Sequence, residues 1–357
     1  MPLARGQKFL FGCLAAFGVA VLFVLVGGAF FVHWIKTPGV PLEGSRLLDP
    51  GTAVYLEVRL RPEDPGAREF VRAFLNASRH PQIPSDANVP GPVNWFLGGL
   101  PRKDASDSEV DKILPVIVVA RRQEGTGGAA GPPLLAISFS HAGNSVRLVH
   151  TAFNFAAWRD TKIRKEEHGG EDLFEVQSQV KEKGAPLWLS FVGTDVLLAW
   201  DPEAVRGGID ALTAAHADVA ATPSTSLLAD RPADAFLYLA AKPGYGEAAL
   251  ETVDAVASPI AATLRPLVKG GAGLTLWGSL RSADVVEGEL SVKAEEGRSS
   301  HADLAGSVTL IAGKSPLDIS FEPLPAGAGG GPTWKFRLKG LEGLTRLRID
   351  RGDIKAR

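Results

Sequence analysis

A single cysteine, Cys13, stands in 357 residues, so no intramolecular disulfide and no multi-cysteine metal frame can form. Charge of one sign is also missing. A formal net charge of −2 provides no polyelectrolyte surface for nucleic acid. The seven histidines show no His-x-His, His-x3-His or His-Glu-x2-His spacing, so no local zinc frame is present. No Gly-x-Ser-x-Gly elbow occurs; the nearest stretch, Gly143-Asn144-Ser145, continues as Val146-Arg147. Ala312-Gly313-Lys314-Ser315 resembles the end of a P-loop, but Val308 stands where the first glycine must be. No catalytic residue, cofactor or metal site is expected from these patterns.

The charge that is absent from residues 9–32 carries the clearest positive message. FLFGCLAAFGVAVLFVLVGGAFFV holds no Asp, Glu, Lys or Arg. As a helix it extends roughly 36 Å, enough for a hydrocarbon core of about 30 Å. Arg5 and Lys8 precede it and only Lys36 follows closely. The positive-inside rule therefore places residues 1–8 in the cytoplasm, a transmembrane helix over 9–35, and the rest outside, periplasmic or extracellular. Phe30, Phe31 and Trp34 occupy the expected interfacial belt. A cleaved signal peptide ending near Gly27-Gly28-Ala29 is the rival reading, but its apolar region would exceed the usual 7–15 residues. A lipoprotein signal at Cys13 conflicts with the bulky Phe11 and with the apolar run beyond it. Gly12, Ala16 and Ala20 recur every four residues, a face on which two helices can pair into a homodimer.

After a linker over 36–47, the exported part reads as α+β. TAVYLEVRL at 52–60 is strand-like, and Asp64-Pro65 signals a helix carrying Phe70, Val71, Phe74 and Leu75. ILPVIVVARR and PLLAISFS are strands joined by the loop GTGGAAG. Val146, Val149, Phe153 and Ala156 then mark an amphipathic helix. A hairpin turns at His168-Gly169-Gly170. SFVGTDVLLAWDPEAVRGGIDAL follows at 190–212: a turn at Gly193-Thr194, a buried strand through Val196, Leu197, Leu198 and Trp200, and a helix capped by Asp201 with Val205, Ile209 and Leu212 inward. A helix end already holding Asp201 and Glu203 is a poor phosphate site.

The chain then begins again. DAFLYLAAKPGYGEAALETV at 234–253 echoes TAVYLEVRLRPEDPGAREFV, with Tyr-Leu in the strand, a Pro/Gly break and a helix. The expected organisation is a repeated β-α-β-β unit with mainly antiparallel sheets: a first unit over 48–222, a second over 223–300, and a β-rich basic segment over 301–357. In that last segment Leu317, Ile319 and Phe321 alternate with acids and serine, and Trp334, Phe336 and Leu338 alternate with Lys335, Arg337 and Lys339. This is a hairpin with one apolar face and one face pairing acids with bases. Residues 332–357 hold eight Lys or Arg against Glu342, Asp350 and Asp353. Lys335, Arg337, Lys339, Arg346, Arg348 and Arg351 are the candidate patch for an anionic partner, lipid or envelope polymer.

The anchor, the strand Ala-Val-Tyr-Leu-Glu-Val, the stretch 191–212, Ser226-Leu-Leu-Ala-Asp230 and Ala235-Phe-Leu-Tyr238 together resemble a group of bacterial envelope proteins catalogued as a domain of unknown function, number thirty-three fifty-two. The resemblance covers about residues 45–260 and implies an extracytoplasmic α+β module of repeated units with no assigned catalytic residue. The expected function is a non-catalytic binding or envelope-organising module, acting on an unknown envelope protein or lipid; the alternative is a carrier or sensor of lipid or another apolar ligand. An uncleaved span predicts that the protein stays with the membrane pellet after an alkaline carbonate wash, with a full-length mass on a blot. Release into the supernatant, or a mass shortened by about 3 kDa, overturns the anchor.

Overall fold

The computed structural model describes residues 42–78, 105–139, 143–159, 163–177, 186–217, 226–268, 272–293, 306–312, 315–324 and 332–340. The expected span at 9–32 lies outside them, and among the described residues no helix is long and apolar enough to cross a membrane. The α+β expectation holds in its broad form: helices pack on a largely antiparallel sheet. That sheet is one continuous structure of thirteen strands.

In chain order the elements are β1 (Thr52–Leu60), α1 (Ala67–Ser78), α2 (Asp107–Ile113), β2 (Val116–Gln123), β3 (Leu134–Phe139), α3 (Gly143–Arg159), β4 (Ile163–His168), β5 (Glu171–Val176), β6 (Leu187–Val192), β7 (Asp195–Ala199) and α4 (Pro202–Ala217). They continue with β8 (Leu237–Ala241), α5 (Gly246–Val268), β9 (Gly273–Ser282), β10 (Val285–Lys293), β11 (Gly306–Ala312), β12 (Ser315–Leu324) and β13 (Thr333–Lys339). Across the sheet the order is β11-β12-β13-β10-β9-β8-β1-β2-β3-β7-β6-β5-β4. The sheet crosses both expected unit boundaries, because β1 pairs with β8 and β10 pairs with β13.

This order is nearly symmetric about its centre. The repeated Tyr-Leu sits at Tyr55-Leu56 in β1 and Tyr238-Leu239 in β8, and Leu56 lies directly opposite Leu239. A local twofold axis between those leucines exchanges the two strands. Outward on one side lie β2 and β3, on the other β9 and β10. A meander then follows on each side, and in each its last strand, β7 or β13, returns beside the unit. The strand order on the two sides of the β1–β8 pair is thus similar, with four strands beyond β3 and three beyond β10.

Alternation decides what each face carries. Val54, Leu56 and Val58 of β1 face α5, α1 and α2, with Leu239, Leu276, Val286 and Phe336 in the same apolar layer. α3 covers β4 to β7 on that same side through Val146 and Phe153 against Phe174 and Phe191. The opposite side carries α4, with Val205, Ile209 and Leu212 buried against Leu134, Leu173 and Leu197. Asp201 caps α4 as expected, accepting from the Glu203 N–H at 3.1 Å. Trp200 departs from the expectation of a buried strand residue. β7 ends at Ala199, and Trp200 lies exposed in the bend before the cap.

Three further differences have local causes. Residues 42–47, expected as linker, are already part of the fold: Leu42, Leu47 and Leu48 are buried in the layer beneath α4. α1 starts at Ala67 rather than at Pro65, because Gly66 takes φ +73° and lies against the backbone of Ser282 and Ala283. Ala312 and Ser315 face each other across the β11–β12 turn, so AGKS joins antiparallel strands and opens no helix. Gly278 and Gly288 pair across β9 and β10. A Cβ on Gly288 would overlap the Trp277 carbonyl and the Gly278 Cα. Gly288→Ala is expected to destabilise the fold by about 1–3 kcal/mol through this overpacking, read as a lower urea midpoint with unchanged m-value. An unaltered midpoint overturns the close approach.

Candidate functional site

Among the described residues, four of the places where polar side chains gather bear on a site. The first is built on Glu57 of β1, 3 % exposed in the middle of the sheet. Its Oε2 accepts from Tyr55 Oη and from Arg231 Nη1 at 2.7 Å, and its Oε1 lies 2.9 Å from Arg59 Nη2. Burial, with the Glu57 charge and hydrogen bond adding to it, holds the Tyr55 hydroxyl far above the ordinary phenol range. Tyr238, its partner across the twofold, donates to the Leu227 carbonyl and is pushed up to about 12, chiefly by burial. Both tyrosines are therefore neutral donors at physiological pH, and the cluster holds the segment at 226–235 onto β1 and β8. An acid in an otherwise apolar strand is the legible signal for it. Replacing Glu57 by Gln leaves Arg59 and Arg231 without their buried counter-charge, at an expected cost of about 3–5 kcal/mol. A loss below about 1 kcal/mol by denaturant titration contradicts that role.

The second cluster lies between α3 and the β4–β5 hairpin. Asp172 bonds His150 Nε2 at 3.0 Å and Lys165 Nζ at 2.8 Å, and Lys165 reaches Asn154 Oδ1 at 2.6 Å. Burial pushes the Asp172 carboxyl up, but hydrogen bonds from Lys165, His150 and Asn154 outweigh it and hold it below the usual range. His150 stacks on Phe191, ring centroids 4.9 Å apart, and meets Phe174 edge-on. Aromatic packing and the ion pair fix the imidazole, so the group anchors α3 to the sheet. The third cluster joins His168 to Asp210 at 2.8 Å and Arg206 to Glu166 at 2.9 Å, fastening the same hairpin to α4 on the other side. Gly169 and Gly170, both at positive φ, make the turn.

The fourth is Asp195, the first residue of β7. Its Oδ1 is buried without a hydrogen-bond partner among the described residues. Burial pushes its pKa up to about 6, against the hydrogen bond from Ser138 and the charge of Arg46. Ser138 Oγ also accepts the Leu42 N–H at 3.0 Å, where the chain enters the fold. The folded state favours the protonated carboxyl. Its contribution to stability is thus full below the ordinary pKa of 3.8 and is lost as pH rises through about 6. Raising a carboxyl from 3.8 to about 6 is equivalent to about 3 kcal/mol. Asp195→Asn should abolish that component, leaving a variant more stable than the parent at pH 7.5 and nearly equal to it at pH 4. Parallel urea midpoints at the two pH values refute the assignment.

The candidate basic patch is divided. Lys335, Arg337 and Lys339 lie on the exposed face of β13. Lys335 is opposite Glu289 on one side and Glu322 on the other, Arg337 is opposite Glu287 with Nε 3.3 Å from its carboxylate, and Lys339 is opposite Asp318. Each of these cations thus has an acid opposite it on at least one neighbouring strand, and Lys335 on both. Arg346, Arg348 and Arg351 lie outside the described residues, as do Gly12, Ala16 and Ala20. Among the described residues no group of three His, Cys, Asp or Glu is arranged to hold a metal ion.

Among the described residues, three of the four exposed large apolar side chains share one surface; the fourth is Trp200. The inner face of α3 carries the expected Val146, Val149, Phe153 and Ala156. Its outer face carries Leu148, Phe155 and Trp158, at 42 %, 57 % and 80 % exposure. These positions fall on one stripe of the helix. Phe155 and Trp158 touch, centroids 6.1 Å apart, and the Arg159 guanidinium lies 5.3 Å above the Phe155 ring. The helical spacing of the inner set is legible in the sequence, whereas the second apolar stripe is missed by a reading that looks for one face. Its signal is a helix with apolar residues all round.

Comparison with protein-family models found no match, and neither did comparison with curated proteins or with solved structures.

Proposed function

We propose that the chain is a membrane-anchored extracytoplasmic binding module that works without catalysis, in which the outer face of α3 meets the partner. The exposed Leu148, Phe155 and Trp158 carry this reading. Large aromatic side chains held on a rigid helix at this exposure make a docking surface, since water is a poor neighbour for them. Three of the polar clusters support it from the other direction. Glu57, Asp172 and Asp210 are each engaged by cations or histidine within the fold. Their geometry accounts for anchoring loops, hairpin and helices to the sheet. The uncharged stretch 9–32 and the resemblance to envelope proteins supply the location.

Purification of the full chain in gentle detergent tests the proposal, followed by mass spectrometry of bound protein and lipid. A bound component is expected with the parent chain and should fall at least about tenfold with Phe155→Ser/Trp158→Ser, as loss of central aromatic anchors implies. A binding profile unchanged by the double substitution sinks the reading. Turnover in a broad hydrolase screen argues for an enzyme instead.

A further inference from the structure

Taking the anchored reading above as its premise, we infer that the partner of the α3 outer face is the bilayer itself, with Leu148, Phe155 and Trp158 seated in the headgroup layer of the membrane that residues 9–35 enter. Three observations point to lipid rather than to protein.

The first is chemistry. GNSVRLVHTAFNFAAWR contains two arginines, one histidine and no acid. Arg147 and Arg159 stand at either end of the stripe. A surface helix with Trp, Phe and Leu on one stripe, bracketed by Arg and free of carboxylates, is the pattern that lies in an anionic interface. Trp158, the most exposed of the three, is the residue type that favours the boundary between headgroup and acyl chain.

The second is size. The three side chains offer roughly 400 Å² of accessible surface at these exposures, about half of the ~800 Å² per partner that a specific protein interface needs. A helix already held at the membrane by a covalent span needs far less, because the tether keeps the local lipid concentration high.

The third is reach. The chain joins the fold at Leu42, whose N–H is bound to Ser138 near the end of β3. With the span ending at 35, residues 36–41 extend at most about 20 Å. The sheet is roughly 55–60 Å across its thirteen strands, so a fold on so short a tether cannot stand clear of the membrane. α3 starts at Gly143, four residues past Phe139, and packs over β7, the strand beside β3. α3 thus starts at the end of the strands where the chain enters, with its outer face on the other side of the sheet from Leu42; the short tether keeps the fold against the membrane, and the chemistry of the stripe selects the face.

The test uses the full chain with Cys13→Ser and Thr151→Cys, which places an environment-sensitive fluorophore inside the stripe and leaves its three apolar residues intact. Glu203→Cys is the reference position: it lies on the opposite face of the sheet, in the first turn of α4 after Ala199, the end of β7 away from Ser138 and the entry of the chain. Both proteins are reconstituted into vesicles of phosphatidylcholine alone or with phosphatidylglycerol, including doxyl-labelled lipid as quencher. The expected result is a blue-shifted emission at 151 and lipid quenching at least about twofold above that at 203, larger in the anionic vesicles. Phe155→Ser/Trp158→Ser should bring position 151 down to the reference level while the protein still floats with the vesicles. A floating protein whose position 151 is as wet as 203 overturns the proposal, and points to a protein partner or a second copy for the same stripe. A protein that fails to float removes the anchor, and this inference with it. The two failures are therefore read separately.

Discussion

The antiparallel joint between β1 and β8 is the constraint on which the rest of the molecule depends. It places Leu56 against Leu239 and makes one sheet out of two chain halves. A half ending at β1 or at β8 would present a long apolar strand edge to water, a template for aggregation. Pairing the two central strands removes both edges at once. Glu57 secures the joint, since its buried carboxylate ties β1 to Arg231 on the segment that links the halves. A buried charge of this kind contributes little net stability, but it penalises any register that separates it from its arginines.

With the centre paired, the true edges move outward to β4 and β11. β4, Ile163–His168, places Arg164, Lys165, Glu166 and Glu167 in succession at its edge, which discourages further strand addition. The two faces then diverge. Toward β4 the sheet is covered on both sides, by α3 and by α4. Toward β11 the strands β10, β13 and β12 keep one apolar face, while their other face alternates acid and base columns. Antiparallel sheets tolerate such one-sided solvation. The cations on β13 therefore belong to a solvated ladder, whereas the apolar stripe on α3 is a surface feature that solvation does not explain.

The polar clusters and that stripe are connected through packing. His150 and Asn154 bind the hairpin through Asp172 and Lys165, and His150 stacks on Phe191. These contacts fix the rotation of α3 about its own axis, and with it the direction in which Leu148, Phe155 and Trp158 point. Ser138 links the entry of the chain at Leu42 to Asp195 in the neighbouring strand pair. The same end of the sheet thus holds the entry of the chain at Leu42, a carboxyl pushed up to about 6 by burial and, on the other face, the start of α3.

Local pattern in the sequence determined most elements of this protein. Alternation marked the strands and the two-faced β12–β13 hairpin. Asp201 marked the start of α4, His168-Gly169-Gly170 marked a turn, and the doubled Tyr-Leu marked a repeat. These are properties of neighbours a few residues apart, so they are readable without a fold. Tertiary structure alone decided that the repeats share one sheet, that Glu57 and Asp195 lose their water, and that Trp200 keeps contact with it. It also decided which side of α3 faces out. That helix carries a second set of apolar residues beyond the legible inner one, and packing against Phe174 and Phe191 leaves Leu148, Phe155 and Trp158 outside. Burial depends on residues far apart in the chain, and that is why the sheet's joint and the surface proposed to bind could be seen only once the strands were in place.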